Sequence, residues 1–217
     1  MVFGHQAKIF QHDGRCKMSA ACRYVAVFAF FCVVLVVTDA LAFCPTAETA
    51  RKGFALVGPE SRTRVEVKPS NDDIVSFDLF IGGRLVSTPT YYKGIFLTKL
   101  VADAVTTTAS YDFDYTKEPD LFVGYQKSFH ITLTAPDGKA TTRTVDDRVV
   151  GRESITVGDC SLDALVLEGQ TASSDRPMQT RRVYFSPLLR TFVRSTITND
   201  GSPPTWIIYD HIEPPSR

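Results

Sequence analysis

The chain of 217 residues contains no Gly-x-Gly-x-x-Gly and no Gly-x-x-x-x-Gly-Lys string, so neither glycine loop that wraps a phosphate in backbone N–H groups is present. It has no Gly-x-Ser-x-Gly, which excludes the strand-to-helix nucleophile elbow. Outside the first 42 residues only His130 and His211 remain among the histidines, and they stand at no ligand spacing to each other or to a carboxylate cluster. A tetrahedral zinc site wants four nitrogen or sulfur ligands, so no metal ligands are assigned. No excess of either charge exists: 24 Lys and Arg balance 24 Asp and Glu. A neutral chain lacks the general electrostatic attraction that nucleic acid binding requires, and no nucleic acid partner is expected. Fixed-period repeats and low-complexity tracts are also missing, and 44% hydrophobic with 22% charged residues is ordinary globular composition.

One long apolar run is present. Tyr24 to Val37 carries no charge, follows Arg23 and precedes Ala40-Leu41-Ala42. Basic flank, apolar core and an Ala-x-Ala end specify a cleaved signal peptide, removed after Ala42. The competing reading is a retained anchor, but Thr38 and Asp39 interrupt the run short of the ~20 residues a span needs. Phe43 stands where a small residue would precede a lipid-modified Cys44, which argues against a lipid anchor. Met18 makes a more usual leader start than Met1. Residues 1–42 are therefore an N-terminal extension and leader, and 43–217 a single exported domain, periplasmic or secreted. Membrane contact is expected only through the uncleaved leader.

Cys16, Cys22 and Cys32 fall in the leader, leaving Cys44 and Cys160 as an even pair bound for an oxidising compartment. A Cys44 to Cys160 disulfide is expected. Free thiols or a catalytic cysteine are the alternatives, and neither residue belongs to a Cys-x-x-Cys pair.

The exported part reads as strands. After a short helical turn over 45–52, with Thr46 as cap and Glu48 in its first turn, Arg64 to Lys68 alternates and stops at Pro69. Val75, Phe77, Leu79 and Ile81 share one face, and Gly82-Gly83 is a two-residue hairpin turn. Residues 95–105 are read as one strand, Tyr111 to Tyr115 as a strand with aromatics on one face and carboxylates on the other, and Leu121 to Leu133 as one or two more. The C-terminal block repeats the pattern: Ile155 to Glu168, Arg182 to Pro187, Arg190 to Thr198, and, after the Asn199-Asp200-Gly201 turn, Trp206 to Tyr209.

These elements predict an all-β fold: an antiparallel meander of about nine to eleven strands, rolled into a β-sandwich or half-barrel and tied by one disulfide. The expected core is Val75, Phe77, Leu79, Ile81, Tyr111, Phe113, Tyr115, Ile131, Leu133, Leu165, Leu167, Phe192, Trp206 and Ile208.

Polar groups that could carry chemistry have ordinary explanations. Asp112 and Asp114 alternate with aromatics and read as the solvated side of a strand. Asp72-Asp73 and Asp146-Asp147 read as loop charges, His130 as a strand residue on a polar face, and Ser186 as a strand end before Pro187. Arg176 to Arg182, with Arg190 and Arg194, form the one local basic bias and read as a solvated basic face.

Val157-Gly158-Asp159-Cys160, Leu165-Val-Leu-Glu168, Tyr184-Phe-Ser-Pro187 and Phe192-Val-Arg194 resemble a pattern in exported, functionally uncharacterised proteins of Gram-negative bacteria: a Val-Gly-x-Cys turn, an apolar strand, then Tyr-x-Ser-Pro and an aromatic or valine-rich strand. The resemblance covers the C-terminal third, with an echo in Tyr91-Tyr-Lys-Gly-Ile-Phe96. It implies a β-sheet envelope protein whose curved sheet can cradle acyl chains, and assigns no activity, cofactor or functional residue. The functional expectation is a non-enzymatic binding or envelope-associated protein holding a hydrophobic small molecule or an envelope component. Two alternatives stand beside it: a hydrolase whose Asp and His residues meet only in the fold, and a structural protein pairing through strand edges.

Overall fold

The computed structural model describes residues 43–70, 73–173 and 176–215, which belong to one compact unit spanning 42–217. The leader, the start at Met18 and Asp72 lie outside the described residues. Helix α1 (Ala47–Arg51) forms where the cap chemistry placed it. The Thr49 N–H donates to Thr46 Oγ1 at 3.3 Å and the Thr46 N–H donates to Thr49 Oγ1 at 2.7 Å, satisfying two otherwise orphaned donors. Glu48 pairs with Lys52 one turn on.

Thirteen strands follow in one open antiparallel sheet. They are β1 (Phe54–Val57), β2 (Thr63–Val67), β3 (Ile74–Ile81), β4 (Arg84–Tyr92), β5 (Phe96–Ala102), β6 (Val105–Tyr111), β7 (Gln126–Thr134), β8 (Ala140–Val157), β9 (Cys160–Ser173), β10 (Arg176–Ser186), β11 (Thr191–Asn199), β12 (Thr205–Ile207) and β13 (His211–Glu213). Each strand from β1 to β12 pairs with its sequence neighbour, and β13 returns to pair with β1. The chain crosses from the β12 edge to the β13 edge in residues 208–210, a reach of at most about 14 Å. That crossing rolls the sheet: the Asp210 N–H donates to the Val57 carbonyl at 2.7 Å. The architecture is thus a single rolled sheet, a half-barrel and not a two-sheet sandwich. Its edge strands have three residues each, which leaves little ladder for another chain to pair with.

Two of the differences from the sequence reading raise the strand count. The sequence reading passed over β1, whose four apolar residues Phe54-Ala-Leu-Val57 show no alternation because β1 is buried on both faces. Residues 95–105 form parts of two strands, not one, turned at Asp103 and Ala104, which hold φ of 48° and 63° without glycine. The C-terminal run over 206–209 instead places Trp206 in β12 and Tyr209 in the crossing. Conversely, the expected strand at 111–115 ends at Tyr111, and Asp114 caps a 3-10 turn over Tyr115–Lys117.

Two buried clusters hold the sheet, and β9 stands between them. Leu162, Ala164 and Val166 join Phe54, Leu56, Val65, Val67, Val75 and Phe77 in the larger, while Leu165 and Leu167 join Val149, Val183 and Phe185 in the smaller. Burying a leucine fully is worth about 1.5–3 kcal/mol, so the two-sided burial of residues 162–167 makes β9 the central spine. Of the expected core, Val75, Phe77, Leu165 and Leu167 are buried, and Leu79, Tyr111, Phe113, Tyr115, Ile131, Leu133 and Phe192 are half-buried. Ile81, Trp206 and Ile208 are exposed, at 53%, 63% and 43%. Ile81 sits at a hairpin tip, and Trp206 lies on a three-residue edge strand with no further strand beyond it.

Candidate functional site

Cys44 and Cys160 are bonded, with their Cα atoms 5.4 Å apart. The link fixes the start of the described chain to the turn between β8 and β9. At this same end of the sheet the loops converge. The Ser70 N–H donates to the Arg51 carbonyl at 3.2 Å and the Lys93 N–H donates to the Asp73 carbonyl at 2.6 Å. Lys93 Nζ meets Asp120 at 3.0 Å, which raises the lysine pKa, and donates to the Glu118 carbonyl at 3.2 Å. Gly94 lies against the backbone of Arg190: a Cβ built at Gly94 would stand 2.0 Å from the Arg190 carbonyl oxygen. Only a glycine at φ +75° passes there.

These segments enclose a cavity of about 550 Å3. Its apolar lining is Val67 and Val75 from the first strands, Ile95 and Leu121 from the loops, Leu165 from β9 and Phe185 from β10, beside polar surface of at least equal extent. Ala47 and Ala50 of α1 form one side, and Leu189 another. The polar groups gather at its mouth, where Arg51, Lys93 and Arg190 face Asp73 and Asp120.

The loop that supplies Leu121 is held from behind by an aromatic cluster. The rings of Phe96, Tyr111, Phe113, Tyr115 and Phe129 lie with centroids 5.1 to 6.5 Å apart. The aromatics of 111–115 therefore do share a side, although they leave the strand to do so. The Tyr111 hydroxyl donates to the Leu97 carbonyl at 2.9 Å, and burial raises its pKa. Lys127 Nζ sits 3.7 Å from the centre of the Phe113 ring and pairs with Glu118, which also accepts from the Tyr125 hydroxyl at 3.0 Å. Burial, with the Glu118 hydrogen bond second, raises the Tyr125 pKa.

A second concavity of about 480 Å3 crosses β7 to β11 on the polar face. Two cross-strand rows wall it: Gln126, Arg148, Glu168, Arg182 and Thr196 in one, Ser128, Asp146, Gln170, Thr180 and Thr198 in the other. Many of its charges pair with one another, although Asp147 Oδ1 and Arg181 Nε are buried without a hydrogen-bond partner. Arg148 meets Glu168 at 2.8 Å, and Arg182 meets Glu168 and Glu153, both at 3.0 Å. Arg181 pairs with Asp147 at 2.5 Å across Gly169, where a Cβ would stand 2.0 Å from Asp147 Oδ1. Arg194 lies over the Tyr184 ring at 5.6 Å. The expected solvated basic face is thus broken up: strand pairing sets carboxylates opposite Arg181 and Arg182, a juxtaposition invisible in linear order. Asp146 and Asp147 are likewise strand residues of β8, not loop charges.

His130 and His211 each meet a carboxylate. His130 Nδ1 lies 2.8 Å from Asp112, which lowers the Asp112 pKa, and His211 Nε2 lies 3.0 Å from Glu213. Both pairs are exposed and neither lines a cavity. Asp114 turns away to Thr116 and Lys117. Ser186 is fully buried, and its Oγ accepts from the Leu189 N–H at 3.4 Å, a turn contact. Among the described residues, no three His, Cys, Asp or Glu side chains gather as metal ligands. The sequence reading missed Lys93 and Gly94 as site builders; the one signal was a positive-φ dipeptide between two aromatic runs.

Fold and cavity together define a rolled antiparallel meander with an open concavity of mixed polarity lined by loops and α1 at one end. No protein-family model matches the chain, and no curated protein matches it. Among solved structures, the crystal structure of the hypothetical lipoprotein YmcC from Escherichia coli (K12) is similar over 94% of this chain and 100% of that one, with a TM-score of 0.45 and 10% identity. No helix among the described residues is long and apolar enough to cross a membrane.

Proposed function

We propose that the protein is a non-enzymatic, exported, envelope-associated binding protein that holds a hydrophobic small molecule in the chamber beside α1. The reading is supported by the concavity beside α1, where Val67, Val75, Ile95, Leu121, Leu165 and Phe185 converge beneath a rim that carries Arg51, Lys93, Arg190, Asp73 and Asp120. A volume of about 550 Å3 is of the size that ligand sites occupy. The histidine and carboxylate pairs lie on open surface, so the hydrolase reading finds no cleft.

The test is extraction of the purified protein with organic solvent followed by mass spectrometry, together with titration of a fluorescent fatty-acid probe. A co-purifying lipid and saturable probe binding are expected. Ala47 is exposed on the helix and lines the chamber, so Ala47→Trp should cover the opening and weaken probe binding about tenfold while leaving the far-ultraviolet dichroism unchanged. Absence of both lipid and probe binding in the parent chain would sink the proposal.

A further inference from the structure

We propose that the polar concavity across β7 to β11 is a binding groove for an extended chain of neutral sugars, with Trp206 as its stacking platform. The groove shares no lining residue with the chamber beside α1, so the proposal stands independently of the ligand reading there.

Strand register extends the first row of the groove by one residue. Gln126 stands opposite Arg148, Arg148 opposite Glu168, Glu168 opposite Arg182, Arg182 opposite Thr196, and Thr196 opposite Trp206. Residues directly opposite in antiparallel strands lie on one face, so the single tryptophan of the chain ends this row. It is 63% exposed, with no strand beyond it to cover the indole. Five strand spacings of about 4.8 Å make the row about 24 Å long, the reach of an oligomer of several rings and more than one ring can fill.

The groove turns other occupants away. No apolar side chain lines it, so an acyl chain or an apolar peptide side chain finds no anchor. Lys127, Arg148, Arg181 and Arg182 are nearly offset by Asp146, Asp147 and Glu168, which leaves little net charge to attract a polyanion such as nucleic acid. A sheet face offers no free ladder, so a peptide cannot add to it as a strand.

What the groove does offer is planar groups that make two hydrogen bonds at once: Arg148, Glu168, Arg182, Gln126 and Gln170. Neighbouring hydroxyls on a sugar ring present donors and acceptors at the spacing such groups bridge. The C–H face of the same ring, slightly positive, packs on the negative face of an indole. Ion pairs of 2.8 to 3.0 Å lock Arg148, Arg182, Glu168 and Glu153 together, and Arg182 Nε donates to the Tyr184 hydroxyl at 3.2 Å. Their planes are thus set before a ligand arrives, which lowers the ordering cost of binding. The exposed side chains of Gln126, Ser128, Asp146 and Gln170 stand outside those pairs and face the ligand.

The experiment titrates the purified full chain with maltohexaose, cellohexaose, xylohexaose and chitohexaose and with their monosaccharides, by calorimetry and by the emission of Trp206. Saturable binding of at least one hexasaccharide is expected, with a shift in tryptophan emission and with its monosaccharide about tenfold weaker or worse. Trp206→Ala and Gln126→Ala alter exposed residues at opposite ends of the row. Each should weaken the calorimetric affinity about tenfold while leaving the thermal midpoint unchanged. Ala47→Trp, at the chamber, should leave it unaltered. No saturable binding of any of the four hexasaccharides would overturn the proposal. So would binding that both Trp206→Ala and Gln126→Ala leave intact, or a monosaccharide that binds as tightly as its hexasaccharide.

Discussion

The two ends of the rolled sheet are built on different terms. Around the chamber, backbone meets backbone where Gly94 lies against Arg190, and the disulfide joins residues 116 positions apart. At the other end the β1–β2 turn is packed against Ile208 at Gly58, yet a Cβ added at Gly82, Gly83 or Gly138 would meet nothing within 4 Å. Turn conformation governs the tips at Gly83 and Gly138, whereas non-local contact governs the Gly94 turn. The crowded end is therefore where a single change reaches residues distant in sequence, and where a chamber can be shaped.

The largest effect expected along this contrast comes from cutting the link. Replacing Cys160 by Ala, or reducing the bond, should cost about 4–5 kcal/mol in the loop-entropy account, read as a fall in the denaturant midpoint. A loss below about 1 kcal/mol would mean that the crowded end is held by packing alone. Next comes a matched pair of glycine substitutions. Gly94→Ala forces a Cβ into the Arg190 carbonyl and should cost about 3 kcal/mol or more, whereas Gly83→Ala, strained only by its positive φ, should cost about 1 kcal/mol. Equal losses in thermal unfolding would erase the distinction between the ends.

The smallest effect is electrostatic and sharpens the role of the edge. Glu213 in β13 pairs with Arg64 and with His211, and these partners hold its pKa below the ordinary 4.5. A carboxylate with a lowered folded-state pKa stabilises the fold above its unfolded value, and that contribution is lost as pH falls through the folded one. The pair is partly exposed, so the contribution is under about 1 kcal/mol. Glu213→Gln should lower stability by under about 1 kcal/mol at pH 7, and the gap to the parent chain should close as pH falls below about 4.5, as followed by urea unfolding.

How much of this was readable from the residues depends on where each structural cause lies in sequence. The Gly82-Gly83 hairpin was plain because its cause, positive φ at two adjacent positions, is written in two letters. The disulfide followed from counting the cysteines that survive export. The turn at Asp103-Ala104 was hidden because surrounding strands impose positive φ on residues that do not advertise it. β1 was hidden for a related reason: burial on both faces removes the alternation by which a strand is recognised, and one of the two neighbours responsible comes from the last few residues of the chain. Trp206 misled in the other direction, since a large aromatic suggests a core whereas its place on a terminal strand leaves it in solvent. The chamber was the least legible feature, because its lining comes from segments spread from α1 to the β10–β11 turn that only the rolling of the sheet assembles.

The crossing at 208–210 also bears on how the protein matures. A chain emerging from its N-terminus can zip each new hairpin onto the last, yet the outer side of β1 has no mate until His211 to Glu213 arrive. Covering of the β1 edge thus waits for the final residues, and a molecule truncated by even a handful of them would keep its hairpins but present an unmated strand to every neighbour.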